Sequence, residues 1–309
     1  MINVLFAAGD QSWAMYQAPL MQAFEAANLQ VSLSQSHAPE MTDYIIYAPD
    51  SALQDFTPYT RCKAVLNLWA GVEKIVGNKT LTMPLCRMVD PGLTQGMVEW
   101  VTGHCLRYHL DIDGWAQAQN GQWQPKLTPL AQERHITLLG LGHLGQACAQ
   151  SLAHLGFRVT GWARSPKSVA NVTCTHGPEG LKQALDNAEI LVLLLPGTPD
   201  TENMLNMQTL AQLPQGACII NPGRGNLIDD AALIAALDSG HIAHATLDVF
   251  RQEPLAAQDP YWAHPKVTVT PHIAADTRPS TAVKVIAENI QRSENRQPLL
   301  HCVNRSAGY

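Results

Sequence analysis

The amino-acid sequence predicts an α/β protein of two Rossmann-like domains, each a parallel sheet flanked by helices. Three observations carry that expectation. Short apolar runs alternate with helix-length segments along the whole chain. One run leads directly into a glycine-rich turn, Gly140-Leu141-Gly142-His143-Leu144-Gly145. The length, 309 residues, suits two domains of ordinary size.

Composition narrows the function. Hydrophobic residues make up 46% and charged residues 15%, enough to bury a sizeable core. A net charge of -6 without a long basic run argues against nucleic acid or an anionic membrane as partner. Small anionic substrates stay open, because a pocket can be positive on an acidic protein. The seven cysteines are odd in number and form no C-x-x-C pair, so we expect reduced thiols, no disulfide framework and no metal site. Cys105, Cys148 and Cys218 lie in apolar runs as small core residues. The start, Met1-Ile2-Asn3-Val4-Leu5-Phe6, lacks a basic segment and Asp10 interrupts it, which reads as a first strand rather than a signal peptide. No apolar run approaches the roughly 20 residues of a membrane span. A cytoplasmic protein is expected.

The first domain takes strands at 3–7, 31–33, 44–47 and 64–68, with a helix over 15–24. From about residue 93 the spacing of Met97, Trp100, Val101, Cys105 and Tyr108 is helical. Residues 111–130 turn polar and contain Trp115, Trp123, Pro125 and Pro129, so they read as a loop or arm. The second domain takes strands at 136–139, 158–162, 190–195, 217–221, 245–249 and 267–270. Helices fall between them, as at 229–237, where Asp229 and Asp230 in the first turn suit the helix dipole. A last helix over 281–292 packs back on the first domain. The expected division is therefore 1–97 with 277–309 around an inserted unit, 98–276. The inserted unit is a doubly wound dinucleotide-binding domain, and the outer one is smaller and flavodoxin-like.

The glycine turn has the context a dinucleotide site requires. A strand precedes it, and a helix follows with Leu144, Cys148 and Leu152 on one face, stopping at Gly156. Gly140 permits the tight turn, Gly142 admits a pyrophosphate to the backbone, and Gly145 lets helix and sheet pack closely. His143 and Leu144 supply free N–H groups at the positive helix end. The second strand of such a unit usually ends in an acid that holds a ribose 2′-hydroxyl. Here it ends Trp162-Ala163-Arg164-Ser165-Pro166-Lys167, with no acid. Arg164 offers a planar fork for a 2′-phosphate, Lys167 a charge and Ser165 a hydroxyl. The expected cofactor is NADPH, with NADH weaker.

Three segments follow three strands: Asn221-Pro222-Gly223-Arg224-Gly225, Leu247-Asp248-Val249-Phe250 with Gln252-Glu253-Pro254-Leu255, and Val269-Thr270-Pro271-His272-Ile273-Ala274-Ala275. Reduction of a 2-keto acid needs a cation for the carboxylate and ketone, a role Arg224 fits bidentately. It also needs an acid near neutral pH, the natural task of His272. Glu253 beside His272 raises its pKa by favouring imidazolium. Asp248 is placed to meet the nicotinamide amide or ribose. Each residue alone has a structural explanation. Three of them after three strands of one sheet are harder to dismiss.

These segments, with Leu195-Pro196-Gly197-Thr198-Pro199-Asp200-Thr201, resemble the D-isomer-specific 2-hydroxyacid dehydrogenase family over the whole cofactor domain. The resemblance implies catalytic roles for Arg224, Glu253 and His272, and places Leu195, Pro196, Thr201, Pro222, Gly223 and Ala274 along the cofactor. Trp69-Ala70-Gly71-Val72 matches the family's substrate-carboxylate loop but departs from its usual glycines at Trp69 and Ala70. Trp69 either shrinks the pocket or packs behind it. Three further stretches, Trp162 to Lys167, Gly121-Gln122-Trp123-Gln124-Pro125 and Asn304-Arg305-Ser306-Ala307-Gly308-Tyr309, are similar to a branch that reduces glyoxylate and hydroxypyruvate. The family also implies a homodimer with residues 111–130 reaching across, Trp123 being a dimer anchor or a pocket wall. Two alternatives stay open: a reductase of a bulkier 2-keto acid such as phenylpyruvate, and a non-catalytic dinucleotide sensor.

Overall fold

The computed structural model describes residues 1–305 and 308. Of the terminal stretch quoted above, Ser306, Ala307 and Tyr309 lie outside the described residues. The chain forms two compact units, 1–93 with 276–309, and 94–275. The sequence-based boundaries, 97/98 and 276/277, fall within a few residues of these.

The first unit is a five-stranded, all-parallel sheet. Its strands are β1 (Ile2–Ala7), β2 (Val31–Ser34), β3 (Tyr44–Tyr47), β4 (Ala64–Asn67) and β5 (Leu85–Cys86), in the order β2-β1-β3-β4-β5. That order is the flavodoxin-like one. Every residue of β3 and β4 is buried, as parallel strands covered on both faces must be. The helix α1 (Gly9–Ala26) packs its Tyr16, Leu20 and Phe24 into one core with Ala282, Val283, Ile286 and Ile290 of the C-terminal helix Pro279–Glu294. That last helix therefore belongs to the first unit, where its apolar stripe finds a partner.

The long helix α2 (Pro91–His109) leads into the second unit, and α3 (Ile112–Gln117) follows it. Residues 111–130 were expected to lack a packed element, so α3 corrects that expectation. Asp111 adopts a left-handed backbone at its start, and ion pairs from Arg107 to Asp113 (2.7 Å) and Lys126 to Asp111 (2.9 Å) hold the segment locally. Polar local contacts of this kind leave no apolar periodicity to read.

Seven parallel strands build the second sheet: β6 (His135–Leu139), β7 (Arg158–Ala163), β8 (Thr173–His176), β9 (Ile190–Leu193), β10 (Ala217–Asn221), β11 (Ile242–Leu247) and β12 (Val267–Val269). They run β12-β11-β10-β9-β6-β7-β8. The order reverses at β6, and ligands of open α/β sheets bind outside the carboxyl ends at such a switch. The edge strand β8 escaped prediction because Thr-Cys-Thr-His carries no apolar run. β11 begins three residues earlier than expected and ends before Asp248. Between strands lie α4 (His143–His154), α5 (Gly177–Asp186), the short α6 (Met207–Leu210) and α7 (Asp230–Asp238). Asp229, expected inside the first turn of α7, is instead its N-cap and accepts from the Ala232 N–H at 3.1 Å.

Candidate active site

The glycine turn sits at the carboxyl end of β6, on the switch point. Gly140 has φ +110°, and a Cβ there would meet the Leu194 carbonyl at 2.4 Å. A Cβ on Gly145 would lie 1.9 Å from the Gly140 carbonyl oxygen, so α4 folds against the turn only with glycine at that position. Gly142 differs: nothing lies within 4 Å of its Cβ position. No side chain caps the helix there. The first-turn N–H groups of His143 and Leu144 therefore front open space at the positive helix end, a fit for a pyrophosphate. His143 Nε2 lies 3.1 Å from the Thr94 hydroxyl, which holds its ring to one side.

After β7, Arg164, Ser165 and Lys167 are exposed, with no carboxylate in that stretch of chain. The carboxylate that Arg164 meets comes from another loop: Asp200, at 3.8 Å, with both side chains largely in solvent. Such a pair is weak, and a dianionic 2′-phosphate competes well for the guanidinium. The Asp200 loop follows β9. Thr201 staples it, its hydroxyl donating to the Pro196 carbonyl at 2.7 Å and accepting from the Thr198 N–H at 2.9 Å. Leu195 and Pro196 are held in that turn.

The β10 loop is braced by a residue not singled out from sequence. Buried Asn221 accepts from the Gly223 N–H at 3.1 Å and donates to the Arg224 carbonyl at 2.9 Å. Gly223 backs onto the Leu193 and Leu195 carbonyls, and Gly225 onto the Phe250 backbone, where a Cβ would be 2.0 Å from the carbonyl carbon. Arg224 is thus held between the loops that follow β9 and β11, half-buried, its Nη1 donating to the Gly223 carbonyl at 2.6 Å.

Asp248, expected to meet the nicotinamide, is fully buried and organises the histidine turn. It accepts from the Thr270 hydroxyl (2.5 Å), the Ile273 N–H (2.9 Å) and the Ala274 N–H (2.9 Å). These bonds encircle His272, whose own N–H donates to the Asp248 carbonyl at 2.9 Å. His272 takes a left-handed φ of +55°. Its Nδ1 then lies 2.8 Å from Glu253 Oε2, while Glu253 Oε1 accepts from the Phe250 N–H at 2.9 Å. Arg251, also not foreseen, pins the intervening segment by its pairings with Asp230 (3.2 Å) and Glu202 (3.6 Å) and its bond to the Ile228 carbonyl (2.5 Å).

Electrostatics follow from this geometry. The hydrogen bond to Glu253 raises the His272 pKa; burial opposes the rise, while the charges of Glu253 and Asp248 add to it. Burial alone would lift the Glu253 carboxyl. The bonds from His272 and Phe250 and the nearby cations outweigh it and hold Glu253 below the usual carboxylate range. Both shifts favour the charged forms of the two partners, an imidazolium beside a carboxylate. In the first unit, Trp69, Ala70, Gly71 and Val72 follow β4, and Asn67 donates to the Trp69 (2.9 Å) and Gly71 (3.1 Å) carbonyls. Val72 is buried and Trp69 is about one-third exposed, so Trp69 is neither wholly packed away nor free.

Residues 105–274 match the NAD-binding domain of the D-isomer specific 2-hydroxyacid dehydrogenases. The chain belongs to that family. A glyoxylate/hydroxypyruvate reductase A from Serratia proteamaculans is 41% identical over 258 residues, covering 81% of this chain and 82% of the relative. A protein of the same name from Yersinia enterocolitica is 40% identical, covering 77% and 79%. Among solved structures, a family member from Xanthobacter autotrophicus in complex with NADPH and MES superposes with a TM-score of 0.90 at 40% identity, covering 100% of this chain and 99% of that one. An NADPH-dependent glyoxylate/hydroxypyruvate reductase from Sinorhizobium meliloti, bound to NADP and sulfate, does so at 0.89 and 32%, covering both chains fully.

The His272–Glu253 pairing makes a signed prediction. A raised histidine pKa contributes stability that is complete below the unfolded value of about 6.5 and lost as pH rises through the folded value. Glu253→Gln keeps an acceptor but removes the charge, so the His272 pKa falls. NMR titration of the ring reads this, and an unshifted midpoint would contradict the pairing.

Proposed function

We propose that this chain is an NADPH-dependent reductase of small 2-keto acids, converting glyoxylate to glycolate and hydroxypyruvate to glycerate. The observation that carries the reading is the placement of Arg224 and the His272–Glu253 pair on loops at the carboxyl edge of the sheet whose glycine turn accepts a dinucleotide. The names and cofactors of the relatives support the substrate and cofactor. When bound, NADPH supplies a hydride to the keto carbon.

The turn Gly140, Gly142, His143, Leu144 and Gly145 holds the pyrophosphate by backbone N–H groups, and Arg164, Ser165 and Lys167 hold the 2′-phosphate. Leu195, Pro196, Thr201, Pro222, Gly223 and Ala274 line the nicotinamide side, with Asp248 beneath them. NADH, lacking the 2′-phosphate, binds more weakly. Arg224 orients the substrate carboxylate and polarises the ketone. His272 donates its Nε2 proton to the oxygen as negative charge develops, and Glu253 stabilises the imidazolium beforehand.

A homodimer in the cytoplasm completes the reading. Trp123 and Leu127 of the arm are 96% and 98% exposed, an unusual state for large apolar side chains and one that a second copy relieves. Equilibrium sedimentation gives twice the chain mass of 33.7 kDa, and Trp123→Asp weakens the association; a wild-type monomer would contradict the dimer.

His272→Ala lowers kcat for glyoxylate by about 10²- to 10⁴-fold, the usual contribution of a general acid. Full activity in that variant would remove the proton donor. Arg164→Ala raises KM for NADPH by roughly 10-fold or more and leaves KM for NADH unchanged. An equal loss with both cofactors would contradict the phosphate role.

A further inference from the structure

Two cysteines face each other in the first unit. Cys86 ends β5, the edge strand of the five-stranded sheet, and Cys302 lies opposite it in an isolated antiparallel bridge. On one side the Arg87 N–H donates to the His301 carbonyl at 3.1 Å, and on the other the Val303 N–H donates to the Leu85 carbonyl at 2.8 Å. Bonds that flank a residue pair in this way mark a non-hydrogen-bonded position, where Cα atoms stand about 4.5 Å apart. That spacing lies within the range disulfides span. The two sulfurs are 3.6 Å apart, so closure to a bond of about 2.05 Å asks for only a small side-chain adjustment.

Exposure divides the labour. Of the seven free cysteines, Cys302 is exposed, Cys174 and Cys218 are intermediate, and the remaining four are buried. A soluble oxidant therefore reaches Cys302 first. Burial, and then the neighbouring Cys302, push the Cys86 thiol up, so it stays protonated as the partner waiting beside the reactive sulfur.

We propose that Cys86 and Cys302 form a reversible disulfide by exchange with a small-molecule disulfide such as oxidised glutathione. The Cys302 thiolate attacks one glutathione sulfur, breaking the S–S bond and releasing a glutathione thiolate. Cys86 sulfur then attacks Cys302 sulfur and expels the second glutathione, which takes the Cys86 proton. Two cysteine thiols are oxidised and one glutathione disulfide is reduced to two thiols. The bond ties the C-terminal tail to the sheet edge across 216 positions of chain, and it is independent of the proposed reduction reaction.

The test uses the full chain treated with excess oxidised glutathione, quenched with acid and unfolded. Thiol titration falls by two, from the seven cysteines of the sequence to five, with an intact mass lower by two hydrogens. Non-reducing peptide mapping links the Cys86 and Cys302 peptides, and dithiothreitol restores all seven. The oxidised form melts about 5 °C or more above the reduced one, because the unfolded chain is constrained. Cys86→Ser stops at a stable Cys302–glutathione adduct, and Cys302→Ser, a change at an exposed site, loses no thiols. A wild-type protein that ends as the Cys302 adduct, links other cysteines or keeps seven thiols overturns the proposal.

Discussion

A buried carboxylate is costly unless hydrogen bonds replace its water, and Asp248 meets that demand through the histidine turn. Its two oxygens collect the Thr270 hydroxyl and the N–H groups of Ile273 and Ala274. The dependence runs both ways. The turn satisfies the buried acid, and the acid holds His272 in a left-handed conformation that costs a non-glycine residue about 1–3 kcal/mol. In that conformation Nδ1 meets Glu253 Oε2 at 2.8 Å. The His272–Glu253 pairing thus rests on a turn that Asp248 anchors.

The same device recurs on the neighbouring loops. Asn221 is buried at the end of β10 and spends its amide on the Gly223 N–H and the Arg224 carbonyl, so the arginine leaves the sheet from a fixed backbone. Gly225 abuts the Phe250 backbone, and Phe250 in turn donates to Glu253. Arg224, Glu253 and His272 sit on three loops, but each loop is braced by a neighbour. The cofactor turn is built in a complementary way. Gly140 and Gly145 are consumed by close backbone approach, while Gly142 leaves its surroundings open, where a phosphate would stand.

Much of the fold was legible in the chain. Buried parallel strands such as β3, β9 and β10 are continuous apolar runs, and their bounds were readable to within a residue or two. β8 was not, since an edge strand half in water needs no apolar signal. Neither was α3, which rests on ion pairs and a left-handed Asp111 instead of a periodic stripe. At the site, glycines and charged residues directly after apolar runs stood out. The bracing by Asn221, Thr270 and Arg251 did not, because a polar residue in a loop has the same appearance whether it braces a turn or faces solvent.

The sequence alone determined the α/β class, the dinucleotide turn, the missing acid after β7 and the chemical types at Arg224, Glu253 and His272. All of these are local, carried by periodicity over a few residues or by the chemistry of a side chain beside a strand. Tertiary structure decided the rest. It turned Asp248 inward across 25 positions to Ile273, brought Glu253 to His272 across 19, and set Cys86 against Cys302 across 216. Such pairings follow from sheet order and backbone direction, which no single stretch of chain contains.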